Sequence, residues 1–191
     1  MKNILWHHGM SQGTQYKGQT SLMDRLYRDR ESDALTGVAG RKYFQKTVET
    51  ALREEGVHGC LLILDVDWMK EINERFGRNM GDRVLQNVAV MLRENFRSCD
   101  GIGRLGDDEF ALWIRGLSAE HVDGIRRRIA HLNDKLMHMG EDMPVVTLSA
   151  GAALGEAGEE FKSLYGRARE VLQRVKERGR CGCEIYEKHW P

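Results

Sequence analysis

Arg104-Leu105-Gly106-Asp107-Asp108-Glu109-Phe110 decides how this chain is read, because a glycine-led turn there carries three consecutive acids between two strand-like runs. Ahead of it lies Gly101-Ile102-Gly103-Arg104-Leu105, and behind it Phe110-Ala111-Leu112-Trp113-Ile114. The aromatic and branched residues of these runs suit a pleated surface, so the pair predicts a β-hairpin. Gly106-Asp107 suits its tight turn, since Gly accepts positive φ freely and Asp tolerates it better than most residues. Adjacent carboxylates repel one another, and the tip is therefore either a solvated acidic turn or the seat of a cation or basic partner. The residues of the turn leave both readings open.

The strand such a hairpin would join stands upstream. Cys60-Leu61-Leu62-Ile63-Leu64 is an uninterrupted apolar run between Gly59 and Asp65, short enough to be a strand buried on both faces. Asp65-Val66-Asp67 ends it. Side chains alternate along a strand, so Asp65 and Asp67 share a face while Val66 takes the other. Two carboxylates on one face at the end of a buried strand are costly unless paired or metal-bound, which makes this a second acidic site.

Around these strands the helical pattern is regular. Phe44, Val48, Ala51 and Leu52 recur at helical spacing up to Gly56. A short helix is predicted from Lys70 to Phe76, then a glycine-bracketed turn from Gly77 to Asp82 with Asp82 as N-cap. A helix follows to Phe96, buried through Val84, Leu85, Val88, Met91, Leu92 and Phe96. Val122, Ile125, Ile129, Leu132, Leu136 and Met139 mark another helix between Ser118 and Met139, with Arg126-Arg127-Arg128 interposed. Val145 to Ala150 reads as a strand, Phe161 to Lys176 as a helix and Cys183 to Tyr186 as a short last strand. Residues 1–20 read as a mobile lead-in, and Ser21 to Asp33 as a linker helix. This order of hairpins and helical crossovers fits an α+β fold with a mixed, mostly antiparallel sheet of about five strands and helices on one face.

Composition narrows the functional classes. The 191 residues, 41% of them hydrophobic, can bury one sizeable core, which favours one domain plus an appendage. Lys+Arg and Asp+Glu are both 29, which argues against a protein that coats nucleic acid. No run approaches 18 consecutive apolar residues, and the N-terminus turns polar too early for a signal peptide, so no membrane segment and a cytoplasmic location are expected. Cys60, Cys99, Cys181 and Cys183 lack paired CxxC spacing and a secretory context, and reduced thiols are expected of them.

Five blocks in order carry a resemblance. Asp33-x-Leu35-Thr36-Gly37 is followed by Arg41 and Phe44. Asp65-Val66-Asp67 precedes Lys70, Ile72-Asn73, Gly77 and Gly81-Asp82, and the hairpin carries Arg104-x-Gly106-Asp107-Asp108-Glu109-Phe110. Thr147-Leu148-Ser149-x-Gly151 and Lys176-x-x-Gly179-Arg180 close the series. From about Asp33 to Tyr186 the chain resembles the diguanylate cyclase or GGDEF family, whose domain is of the nucleotidyl-cyclase and polymerase-palm type. The organisation implied is a lead-in and linker helix over 1–32 and a GGDEF domain over 33–188.

The resemblance implies a role for each matched residue. Asp65, the Val66 carbonyl and Asp108 would hold Mg²⁺ or Mn²⁺, a hard cation that prefers oxygen ligands and substrate phosphates. Lys70, Lys176 and Arg180 would bind the triphosphate of GTP, with Gly106 and Asp107 alongside it. Asn73 and Asp82 would read the N–H donors of guanine. Glu109 would assist metal binding or proton removal. Two domains, each holding one GTP, would meet as a homodimer and form cyclic di-GMP with release of pyrophosphate. Arg97 and Asp100, five residues before Gly106, match the spacing of the family's inhibitory product site, with Arg128 as a second basic contact. An upstream sensory module or a neighbouring phosphodiesterase is the partner that such domains imply.

Several positions depart from the family pattern. Asp107 replaces the second signature glycine, where the backbone passes close to phosphate. Gly40 stands for Asn, Arg78 for His, Trp68-Met69 for aromatics, and Arg169 and Gln173 for the late Asp and Tyr. None of these removes a metal ligand, so the resemblance implies an active or weakly active cyclase, or else a silent domain that binds nucleotide and regulates a partner.

Overall fold

The computed structural model describes residues 31–54, 58–117 and 121–187. The sheet has six strands, β1 (Ala39–Gly40), β2 (Gly59–Val66), β3 (Gly101–Arg104), β4 (Glu109–Arg115), β5 (Leu148–Gly155) and β6 (Gly182–Ile185), in the order β1-β3-β4-β2-β5-β6. The three pairings β3–β4, β4–β2 and β2–β5 are antiparallel, whereas the edges β1 and β6 run parallel to their neighbours. Five helices connect them: α1 (Arg41–Arg53), α2 (Met69–Phe76), α3 (Arg78–Asn95), α4 (Asp123–Met137) and α5 (Phe161–Glu177). The hairpin, the central apolar strand and the mostly antiparallel α+β sheet stand as expected, with β1 as the unforeseen sixth strand. Two residues of Ala and Gly carry no strand signal.

Helices cover both faces rather than the single face expected. Cys60, Leu62, Leu64 and Val66 of β2 pack with α2, α3 and α4, while Leu61 and Ile63 pack with Phe44, Val48, Ala51 and Leu52 of α1 and with Leu164, Ala168 and Leu172 of α5. Alternation along a strand buried on both sides explains why its sequence shows no polar period. All four buried residues of α1 are those its spacing marked.

Two boundaries differ from expectation. The predicted strand over 145–150 is instead Leu148–Gly155, paired with β2 along its full length. Its second half, Gly151-Ala152-Ala153-Leu154-Gly155, has the small residues of a poor strand former, yet α5 presses on it. A Cβ on Gly151 would lie 2.1 Å from the Ala168 carbonyl oxygen and 2.5 Å from Leu172 N. Gly151→Ala should therefore cost about 3 kcal/mol through overpacking and lower the melting temperature by roughly 10 °C; an unchanged melting curve would show that α5 yields freely.

The second boundary concerns Gly77 to Asp82. Gly77, with φ 82°, is the whole turn, and α3 begins at Arg78, so Asp82 lies inside the helix and is not its N-cap. Gly81 lies inside it too, where a Cβ would stand 2.0 Å from Asn73 Oδ1. Its glycine makes room for a side chain of the neighbouring helix, which a local reading takes for a turn signal. The expected lead-in over 1–20 and nearly all of the linker helix fall outside the described residues. No helix of the described residues is long and apolar enough to cross a membrane.

Candidate functional site

Strand pairing brings the two acidic sites together. Asp65 on β2 stands opposite Glu109 on β4, and the Asp108 carbonyl accepts a 3.0 Å hydrogen bond from the Val66 N–H. From α5, Lys176 Nζ reaches Asp65 Oδ2 at 2.6 Å. Burial, together with the nearby charges of Asp108 and Asp67, still pushes the Asp65 carboxyl above its ordinary range, against the pull of Lys176. A carboxylate held this way attracts cations. Among the described residues no three His, Cys, Asp or Glu side chains converge as a self-sufficient metal cage. Two carboxylates and a strand-end carbonyl nevertheless suit Mg²⁺, which fills its remaining positions with water and substrate phosphates.

Asp67 meets a different fate from Asp65. It is buried and accepts from Thr147 Oγ1 at 2.7 Å, Ser149 Oγ at 2.7 Å and the Cys181 N–H at 3.3 Å. Of the two costly carboxylates, one is therefore satisfied by hydroxyls and backbone. It ties the end of β2 to β5 and to the loop after α5.

The acidic turn is held from behind by Arg104. Its Nε donates to the Gly106 carbonyl at 3.1 Å, Nη2 to the Asp107 carbonyl at 2.7 Å and Nη1 to Asp33 Oδ1 at 3.1 Å. Against the burial that would raise it, hydrogen bonds from Thr36 and Arg104 hold the Asp33 carboxyl below its ordinary range. The turn differs from the tight one expected, because neither Gly106 nor Asp107 adopts positive φ. A Cβ on Gly106 would touch only Glu109 Cβ at 3.5 Å, an ordinary contact. Neither backbone nor packing requires glycine at this position.

Lys70, Asn73, Asp82, Asp107 and Asp108 line one cleft of about 620 Å³ with Arg78 and Arg104. Lys70 is exposed there, 3.8 Å from Glu74. Lys176 and Arg180 approach from the α5 side, beside Asp65 and Asp67. Glu109 turns toward α5 as well, where Tyr165 Oη donates to its carboxylate at 2.9 Å and Arg169 Nη1 donates to Tyr165 Oη at 3.1 Å. Burial and the adjacent Glu109 push the Tyr165 phenol upward. Sequence reasoning missed this tyrosine, whose place on an amphipathic helix marks it only as a packing residue, and it missed Asp33 as the partner of Arg104.

Arg97, Asp100 and Arg128 share a second cleft, of about 540 Å³. Arg128 stands 5.6 Å over the Phe96 ring. Asp100 is largely buried, and its carboxylate accepts from the Arg97 N–H at 3.0 Å and the Arg115 N–H at 3.4 Å. It closes its own turn, whatever else it binds. Of the four cysteines, all unpaired, Cys60 and Cys183 are the less exposed, and burial pushes the Cys183 thiol up to about 12.

Residues 30–181 match the family model described as "Diguanylate cyclase, GGDEF domain". Diguanylate cyclase DosC of Escherichia coli K12 is 33% identical over 163 residues, 81% of this chain and 35% of that protein. DgcP of Pseudomonas aeruginosa is 31% identical over 81% of this chain and 24% of its own length. The chain thus spans about a third or less of these two curated relatives. Among solved structures, the coiled coil and GGDEF domain of DgcB from Caulobacter crescentus in complex with c-di-GMP superposes with a TM-score of 0.76 at 27% identity, covering 85% of this chain and 89% of that one. The isolated GGDEF domain of the same protein, also with c-di-GMP, gives 0.74 at 28% identity, over 83% and 96%.

Proposed function

The chain belongs to the GGDEF diguanylate cyclase family, and from that premise we propose that it joins two GTP molecules into cyclic di-GMP at the cleft beneath Asp65 and Asp108. The observation that carries this reading is the meeting of Asp65, Val66 and Asp108 at one sheet end, beside a cleft lined by Lys70, Asn73 and Asp82. Asp65, Asp108 and the Val66 carbonyl would hold Mg²⁺ or Mn²⁺, which when bound polarises the α-phosphate and lowers the pKa of the attacking 3′-hydroxyl. Lys70, Lys176 and Arg180 bind the triphosphate, Lys176 exchanging its contact with Asp65 for a phosphate. Asn73, seated against Gly81, and Asp82 accept from the guanine donors. Glu109 assists at the metal or the proton, with its carboxylate oriented by Tyr165. One site holds one GTP, so two copies must face each other, which supplies proximity and orientation. Incubating the pure protein with GTP and Mg²⁺ and resolving the products tests the reading; pyrophosphate without a cyclic dinucleotide would overturn it.

One observation favours a second reading. Asp107 lines the same cleft and brings a negative charge to where phosphates would pass. A domain that binds GTP without turnover, and acts on a partner, would show GTP affinity and no product.

Arg97, Asp100 and Arg128 form the proposed product-inhibition site. Arg97 offers a planar fork for phosphate or guanine. Because Asp100 holds the turn's backbone, Asp100→Ala would confound binding with folding, and Arg97→Ala is the cleaner variant. It should weaken cyclic di-GMP binding at least tenfold, the worth of a charge-assisted hydrogen bond, by isothermal titration. Equal affinity in both proteins would reduce the motif to the end of a helix.

A further inference from the structure

Arg180 is held by two neighbours that its motif does not contain. Its guanidinium carbon stands 4.1 Å from the centroid of the Trp68 ring, and its Nε lies 3.8 Å from Oδ1 of the buried Asp67. Trp68 itself is 52% exposed, so its ring is within reach of solvent. The backbone supplies an independent sign. Among the described residues, Trp68, Arg180 and Cys181 are the non-glycine positions with positive φ, at 63°, 68° and 52°. L side chains seldom adopt that region, and such residues persist where their surroundings over-determine them. All three meet at Asp67, which Trp68 follows in the chain, Arg180 faces and Cys181 binds through its N–H.

We propose that Trp68 is a positioning residue, a platform that presents the Arg180 guanidinium to the phosphates of a bound nucleotide. The proposal rests on the nucleotide-binding reading above and goes beyond it in assigning a role to a ring outside the residues that touch substrate. Stacking engages the face of a guanidinium and leaves its in-plane N–H donors for another acceptor. Asp67 opposes the Nε, so rotation about the stack is limited as well. A long, rotamer-rich side chain held by its face and one edge loses less freedom when phosphate arrives. Arginine is required for this device, because an ammonium has no face to stack. The same geometry separates the two cations of the last motif: Lys176 is in direct contact with Asp65 at 2.6 Å, whereas Arg180 stands 3.8 Å from the Asp67 carboxylate, beyond hydrogen-bond reach.

The test uses the full chain with Mg²⁺ and GTP, with GMP as a probe lacking the outer phosphates. In isothermal titration, Trp68→Ala should weaken GTP about fivefold, the scale of an exposed cation–π contact. Trp68→Phe should restore near-wild-type affinity, GMP should be indifferent to both changes, and Trp68→Ala should cost nothing further in an Arg180→Ala background. GTP should also perturb tryptophan fluorescence in the wild type and lose most of that signal in Trp68→Phe. Unchanged GTP affinity in Trp68→Ala, or losses that simply add in the double variant, would overturn the proposal, as would failure of the wild type to bind GTP. Product formation is assayed separately. A wild type that binds GTP and makes no cyclic dinucleotide defeats the catalytic reading alone and leaves the binding cycle to decide the role of Trp68.

Discussion

Asp65→Ala should abolish cyclic di-GMP formation while the protein stays folded. The carboxylate lies at the end of β2, beside Lys176 and close enough to Asp108 and Asp67 for their charges to raise its pKa. With so few protein oxygens for a cation, losing one removes both charge and geometry; at about 4 kcal/mol of transition-state stabilisation, turnover falls roughly a thousandfold. Stability should change little, because burial and the neighbouring carboxylates already disfavour a charged Asp65 in the folded protein, which offsets the ion pair that is lost, and the Lys176 left behind keeps access to solvent. The comparison is turnover against melting temperature for the wild type, Asp65→Ala and the near-isosteric Asp65→Asn. Full turnover in Asp65→Ala would place the cation elsewhere, and loss of turnover with a collapsed melting curve would make the residue structural.

Asp107→Gly should act in the opposite direction and raise turnover or tighten GTP binding about tenfold. At an effective dielectric of about 20 and a separation of roughly 6 Å, a like-charge pair costs on the order of 3 kcal/mol. Asp107 is exposed, so solvent and a bound cation screen part of that cost. Its backbone is tied down in any case, because Arg104 donates to its carbonyl and φ is not positive. Glycine at this position therefore gains clearance and charge relief with no change of turn. Asp107→Ser should fall between the two. Identical kinetics for all three proteins would show that the carboxylate points away from the phosphates and that the departure from the family pattern is benign.

Much of the candidate site was legible because family spacing and strand logic act on the same residues. Asp65 and Asp108 were marked as acids that need partners, and the hairpin that carries one pairs with the strand that carries the other. What could not be read was which partner each acid takes. Asp67 and Asp65 look equivalent in the sequence, yet Thr147 and Ser149 satisfy one and Lys176 the other. Glu109 is read as an acid of the turn, whereas its contact with Tyr165 depends on how α5 lies across β5 and β2.

The sequence by itself determined the α+β class, the central strand, the hairpin, the buried stripe of α1 and the positions of the acids that make up the candidate site, because period and turn chemistry are properties of short contiguous stretches. Only the tertiary structure decided that both sheet faces are covered, that β5 runs on through glycine and alanine to Gly155, that α3 starts at Arg78, and that Arg104 joins Asp33 to the acidic turn. All four depend on contacts between stretches far apart in the chain, and the two boundaries show most plainly why a local reading misses them. A glycine that admits a neighbouring helix or side chain, at Gly151 and at Gly81, has the same local signature as one that breaks a helix or strand. The difference lies in atoms contributed by a distant part of the chain.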